Sequence, residues 1–247
     1  MSLLDSWTPG EHTFAGVAHP TYRKGRGPGV VVIHEIPGMT PEVIGFGEEV
    51  VAAGFTVVMP HLFGTPCAPM TVATTAKAFR QVCVSNEFTK LATGVTTPMA
   101  GWLRSLAREL HDDLGGPGVG AIGMCFTGGF ALAMMVDTSV VAPVLAQPST
   151  PFAVTPGRSR DLNLSPRDLA KVKERAAAGC EVLGLRFTKD LMVGKRFETL
   201  TRELGEAFIR VELDGCKHST VTTHRQQEGV DRVLAFLEDR LRPGEAT

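Results

Sequence analysis

Short apolar runs alternate with segments of helical spacing along most of this chain. Gly29-Val30-Val31-Val32-Ile33-His34-Glu35 is apolar almost without a break, as expected of a strand covered on both faces. Phe55–Pro60 repeats that pattern, and Val119–Ile122, Val140–Ala146, Glu181–Phe187 and Phe208–Leu213 read as further strands. Between them the spacing predicts helices over Pro41–Ala53, Thr71–Ala92, Pro98–Asp113, Thr127–Asp137, Lys195–Gly205 and Thr223–Leu241. Ser165 caps a further helix running to about Ala178. Two short alternating pieces, His12–Ala18 and Thr21–Lys24, suit an N-terminal antiparallel extension, and Gln147–Leu164 reads as a long polar loop. Strands alternating with helices predict an α/β protein with a doubly wound, mainly parallel sheet flanked by helices. Such sheets gather reactive groups beyond the carboxyl ends of their strands. Glu35, Cys125, Asp190 and His218 all follow predicted strands, so one edge is expected to carry them all.

Composition narrows the function classes. The chain has 247 residues, 43% hydrophobic and 21% charged, a balance suited to one soluble α/β domain over residues 1–247. A net charge of −1 and the lack of a basic cluster interleaved with aromatics argue against nucleic acid as a partner. The N-terminus shows no secretory signal, and no apolar run reaches the roughly 18–20 residues of a membrane span, so no membrane partner is implied. Five cysteines, at 67, 83, 125, 180 and 216, are odd in number and contain no C-x-x-C pair. That pattern suits reduced thiols in a cytoplasm better than disulfides or zinc.

The chemistry centres on Val119-Gly120-Ala121-Ile122-Gly123-Met124-Cys125-Phe126-Thr127-Gly128-Gly129, where a strand meets a helix through small residues. This is the pattern of a nucleophile elbow with sulfur in place of the usual serine oxygen. Gly123 permits the sharp turn, and the helix N-terminus below Cys125 favours a thiolate and a developing oxyanion. His218, in Asp214-Gly215-Cys216-Lys217-His218-Ser219, can take and return a proton from the sheet top. Asp190, after the preceding strand, can hold one imidazole nitrogen and stabilise an imidazolium. The chain order nucleophile, acid, histidine is that of α/β-hydrolases. Glu35 ends an apolar strand, where a carboxylate must find a partner such as the resting thiol or an arginine. The backbone N–H groups of Ile36 and Phe126 suit an oxyanion hole. His34, His61 and Cys67 lack metal-ligand spacing and read as structural, so no metal or other cofactor is implied.

With Glu35-Ile36-Pro37-Gly38, Gly123-Met124-Cys125-Phe126-Thr127-Gly128-Gly129, Lys189-Asp190-Leu191-Met192-Val193 and His218-Ser219, the chain resembles the dienelactone hydrolase family over nearly its whole length. The resemblance implies an α/β-hydrolase fold and hydrolysis of a small lactone or ester through a thioacyl-enzyme. It assigns Cys125, Asp190 and His218 to the triad and gives Glu35 control of the resting nucleophile. Three departures stand out. Thr127 occupies a position where glycine is common, and Cys216-Lys217 lengthen the loop before His218. The family's carboxylate-binding arginine falls on Thr222, with Arg225 close but out of register and Arg80 in the helical stretch Thr71–Ala92. An anionic dienelactone is therefore not implied as the substrate. The same departures motivate an alternative, a catalytically weak hydrolase-like module that binds or senses a ligand. A redox role for Cys125 has no resolving cysteine near it in sequence.

Overall fold

Successive residues of a strand face opposite sides of its sheet, so the run Gly29–Ile33 feeds two cores at once. Val30 and Val32 join one apolar cluster, and Val31 and Ile33 join the other. The computed structural model describes residues 2–85, 87–88 and 93–242. Its strands are β1 (Thr8–Phe14), β2 (Val17–Lys24), β3 (Gly29–Ile33), β4 (Thr56–Pro60), β5 (Val119–Met124), β6 (Val140–Ala146), β7 (Val182–Phe187) and β8 (Phe208–Leu213). They form one sheet in the order β1-β2-β4-β3-β5-β6-β7-β8. The pairs from β4 through β3 to β8 are parallel, whereas β2 runs antiparallel to both β1 and β4.

The helices are α1 (Pro41–Ala52), α2 (Val72–Val84), α3 (Pro98–Leu114), α4 (Gly128–Met134), α5 (Pro166–Ala177), α6 (Arg196–Leu204) and α7 (Gln227–Leu241). On one face α1 and α7 bury Ile44, Phe46, Val50, Val233 and Leu237 with Val30 and Val32. On the other, α3 to α6 bury Leu103, Phe130, Val172 and Phe197 with Val31 and Ile33. This is the α/β-hydrolase fold. The chain passes from β3 outward to β4 and then back across to β5. That reversal opens a crevice at the carboxyl ends of β3 and β5, where such sheets bind ligands.

Several boundaries differ from the sequence pattern for identifiable reasons. The N-terminal hairpin turns at Ala15-Gly16, both at positive φ (52° and 81°), so His12–Ala18 spans a turn and not a single strand. Ala-Gly lacks the Asn-Gly or Asp-Gly signature of such turns, which hid it. β3 stops at Ile33, leaving His34 and Glu35 buried but off the sheet. The helix expected over Thr71–Ala92 is observed as α2, while residues 86 and 89–92 lie outside the described residues. α7 starts at Gln227 and not Thr223, because residues 219–226 are folded into turns, with His224 N–H donating to Ser219 O and Gln226 N–H to Thr220 O. Among the described residues no helix is long and apolar enough to cross a membrane.

Candidate active site

The geometry of the site begins at one strained residue. Cys125 follows β5 directly, has φ of 50°, and opens a single 3-10 turn (Cys125–Thr127) that leads into α4. A non-glycine residue in the left-handed region marks a functional turn more often than a random one. The turn closes so tightly that a Cβ on Gly123 would lie 2.2 Å from the carbonyl oxygen of Thr127. Only glycine fits there. Thr127 does not crowd the elbow. It is fully buried, its hydroxyl accepts the Met124 N–H at 3.0 Å, and it lies 3.1 and 3.2 Å from the Ile33 and His34 carbonyls. It therefore ties the elbow to the end of β3.

The topology brings Cys125, Asp190 and His218 to one place. Asp190 follows β7 and is buried; its Oδ2 lies 2.6 Å from His218 Nδ1, and its Oδ1 accepts the Met192 N–H at 2.9 Å. The other imidazole nitrogen, Nε2, is buried without a well-aligned partner, with the sulfur of Cys125 close enough to act on its charge. Burial by itself would depress His218. The hydrogen bond to Asp190 and the adjacent Cys125 sulfur, with the charges of both, outweigh that and push its pKa up to about 10. The arrangement favours an imidazolium beside the sulfur.

Glu35 sits behind this group, 1% exposed, and its partners correct the expectation of a thiol or arginine contact. Its Oε1 accepts from the Thr222 hydroxyl, and its Oε2 accepts from Ser219 Oγ at 2.9 Å and Gln147 Nε2 at 3.4 Å. Burial pushes its carboxyl above the usual range, with those hydrogen bonds and the nearby His218 charge offsetting part of the effect. All three hydrogen-bond partners are neutral, so beyond the nearby His218 charge it is the protein's own dipoles that solvate a carboxylate there. The sulfur's own partner is Ser149 Oγ, at 3.4 Å. Ile36, which precedes a cis peptide bond to Pro37, has a backbone N–H with no acceptor among the described residues. Phe126 N–H belongs to the first turn after the nucleophile.

The remaining candidates lie elsewhere. His34 is buried, accepts the Leu62 N–H at its Nε2, and is driven down to about 3 by burial, so it is a neutral structural residue. Cys67 contacts Ser2 Oγ at 3.3 Å, away from the elbow. Arg225 is paired with Glu49 at 2.5 Å, and Arg80 is exposed on α2. Among the described residues no group of three or more His, Cys, Asp or Glu side chains could hold a metal ion. Gln147, Ser149 and Thr220 belong to no motif that the sequence marks, and Ser219 is marked only as the neighbour of His218. Gln147 directly follows β6 and Ser149 lies two residues further on, so the strand-end rule that points to Asp190 also points at Gln147-Pro148-Ser149-Thr150.

The family model for the dienelactone hydrolase family matches residues 14–213. No curated protein matches the sequence. Among solved structures, a dienelactone hydrolase from Anabaena variabilis is 16% identical with a TM-score of 0.67, covering 96% of this chain and 98% of that one. A 2,6-dihydroxy-pseudo-oxynicotine hydrolase is 14% identical with a TM-score of 0.63, covering 98% of this chain and 70% of that one. A cold-adapted esterase from an Arctic intertidal metagenomic library is 13% identical with a TM-score of 0.61, covering 96% and 95%. Identities this low establish a shared fold.

Proposed function

The chain belongs to the dienelactone hydrolase family, and from that premise we propose that it hydrolyses a small, uncharged carboxylic ester or lactone through a thioacyl intermediate on Cys125. The observation that carries this reading is the Asp190–His218 pair at 2.6 Å, set beside a cysteine on a left-handed elbow. The imidazolium holds the sulfur as a thiolate, the form that attacks a carbonyl. As the tetrahedral intermediate forms, the N–H groups of Ile36 and Phe126 receive the oxyanion. His218 then protonates the departing alcohol and later takes a proton from the incoming water, while Asp190 keeps the ring oriented. Glu35, held by Thr222, Ser219 and Gln147, supplies a buried negative charge or proton store behind His218. It acts through these neighbours and not by direct contact with the sulfur.

An uncharged substrate is supported by the candidate cations among the described residues, each paired within the protein or, like Arg80 on α2, exposed to solvent. Thr222 stands where the family's arginine falls, and its hydroxyl is committed to Glu35. Arg225 is spent on Glu49, and the buried Arg196 donates to the carbonyls of Met192, Val193, Pro151 and Arg158. Lys189 and Lys217 are exposed, where water and salt screen their charge. Apolar surface lies alongside. Phe126 packs 6.2 Å from Phe152, which meets Phe79 at 5.7 Å, and Leu191 next to Asp190 is 88% exposed.

The test is a panel of esters and lactones at neutral pH, in matched neutral and carboxylate-bearing pairs, with folded Cys125→Ala as control. Turnover of the neutral members, abolished in the variant, is expected. Preference for the anionic members would overturn the substrate class, and undiminished turnover in the variant would overturn the mechanism. Tight binding of one compound without any turnover would favour a ligand-binding module on the same fold.

A further inference from the structure

Ser149 is bound to the nucleophile twice. Its hydroxyl is 3.4 Å from the Cys125 sulfur, and its backbone N–H donates to the Cys125 carbonyl at 3.0 Å. The next residue adds a third tie, with Thr150 Oγ1 donating to the Phe126 carbonyl at 2.8 Å. Ser149 is fully buried, and among the described residues its hydroxyl has the sulfur as its one hydrogen-bond partner. Buried hydroxyls in folded proteins find acceptors for their proton. A neutral thiol is a weak acceptor, whereas hydrogen bonds to an ionised group are shorter and roughly twice as strong. Once the Cys125 proton has moved to His218, the sulfur has none to give, and Ser149 can only be the donor.

We propose that Ser149 is a catalytic residue of this site: its hydroxyl donates to the Cys125 sulfur, holds it as a thiolate at rest, and receives it again as the leaving group of deacylation. The first half stands on the contact alone, and the second rests on the ester or lactone reading. In acylation a sulfur electron pair forms the S–C bond while the carbonyl π pair moves to oxygen. Collapse breaks the C–O bond, and the departing alcohol takes the proton of His218. The thioester sulfur is a poor acceptor, so Ser149 loses its partner at this stage. Water then adds to the carbonyl carbon and gives a proton to His218. The C–S bond breaks with its pair returning to sulfur, where the Ser149 O–H meets it, and the carboxylic acid leaves.

Alkylation of Cys125 by iodoacetamide across pH, followed by mass on the Cys125 peptide, tests this in parent, Ser149→Ala and Ser149→Thr proteins. Alkylation of Ser149→Ala near neutral pH should slow by about tenfold or more, the loss expected for a hydrogen bond to a charged group. The acid limb of its profile should move to higher pH, and Ser149→Thr, which keeps a hydroxyl, should stay near the parent. Ser149→Cys, a similar volume with a weak donor, should give intermediate slowing if the alanine variant does not fold. On a substrate the parent turns over, Ser149→Ala should lower kcat and KM together above that limb, as slowed deacylation requires. An alkylation profile in folded Ser149→Ala that matches the parent would overturn the proposal. Failure of the parent to hydrolyse any ester would overturn the proposed function and leave the alkylation result to decide the role of Ser149.

Discussion

Replacing Thr127 by valine removes one hydroxyl and almost no volume, and it should separate the elbow from the rest of the site. The lost oxygen accepts the Met124 N–H at 3.0 Å and stands 3.0–3.2 Å from the carbonyls of Met124, Ile33 and His34. One proton serves one of those carbonyls at a time, so the variant loses one accepted and one donated hydrogen bond. Leaving the buried N–H unpaired costs about 1–3 kcal/mol, and losing the donated bond about 0.5–1.5 kcal/mol. Allowing for relaxation, the total is about 2–3 kcal/mol. At about 2–4 °C per kcal/mol for a chain of this size, the melting temperature should fall by about 4–12 °C. His34 lies two residues before Ile36, so a loosened tie also frees the segment that carries the proposed oxyanion donor, the Ile36 N–H. We expect kcat to fall at least about tenfold, short of the roughly 100- to 1000-fold cost of deleting an oxyanion donor outright. Thermal melts by circular dichroism and steady-state ester hydrolysis measure both effects. A melting temperature within about 1 °C of the parent, with unchanged kcat, would refute the role given to Thr127.

Three further outcomes follow from the geometry. Because the His218 pKa is raised to about 10, the stability its charge contributes is complete below about pH 6.5 and fades as pH climbs through about 10. In urea titrations, the stability gap between parent and Asp190→Asn should therefore narrow across that window; a gap that widens would contradict it. Glu35 is also raised, by burial, so the parent loses stability as pH rises through that carboxyl's folded-state pKa and Glu35→Gln does not. The variant should gain relative to the parent as pH rises, and a pH-independent difference would show that the carboxyl carries no such strain. Gly123→Ala places a Cβ 2.2 Å from the Thr127 carbonyl, so both melting temperature and turnover should drop sharply. Parent-like activity there would mean the elbow is not built as described.

The features that repeat along the chain were the legible ones. The runs Gly29–Ile33 and Thr56–Pro60 announce buried strands because burial on both faces leaves little choice of residue, while Phe208–Leu213, with Arg210 and Glu212 exposed, is a strand by its alternation. Cys125, Asp190 and His218 could be placed on one edge because each follows such a strand. Side-chain direction was not legible. Nothing in the spacing says that Thr222 turns inward to Glu35, since residues 219–226 share the polar character of a helix start and instead form turns. The Ala15-Gly16 turn was hidden because its positive φ at alanine is imposed by the two paired strands and not by a turn-forming residue. Ser149 falls inside a polar, proline-rich stretch whose composition signals only a loop, although that stretch begins where β6 ends. Thr127 looked like a departure because its hydroxyl's partners come from a strand more than ninety positions away.

The proposed mechanism turns on a covalent intermediate on one sulfur. The most direct measurement is rapid acid quench of the protein with an activated neutral ester, followed by intact and peptide mass spectrometry. An acyl adduct confined to the Cys125 peptide, formed within a burst and absent from folded Cys125→Ala, is the predicted result. Turnover without any adduct on Cys125, or an adduct and full turnover in Cys125→Ala, would contradict the account.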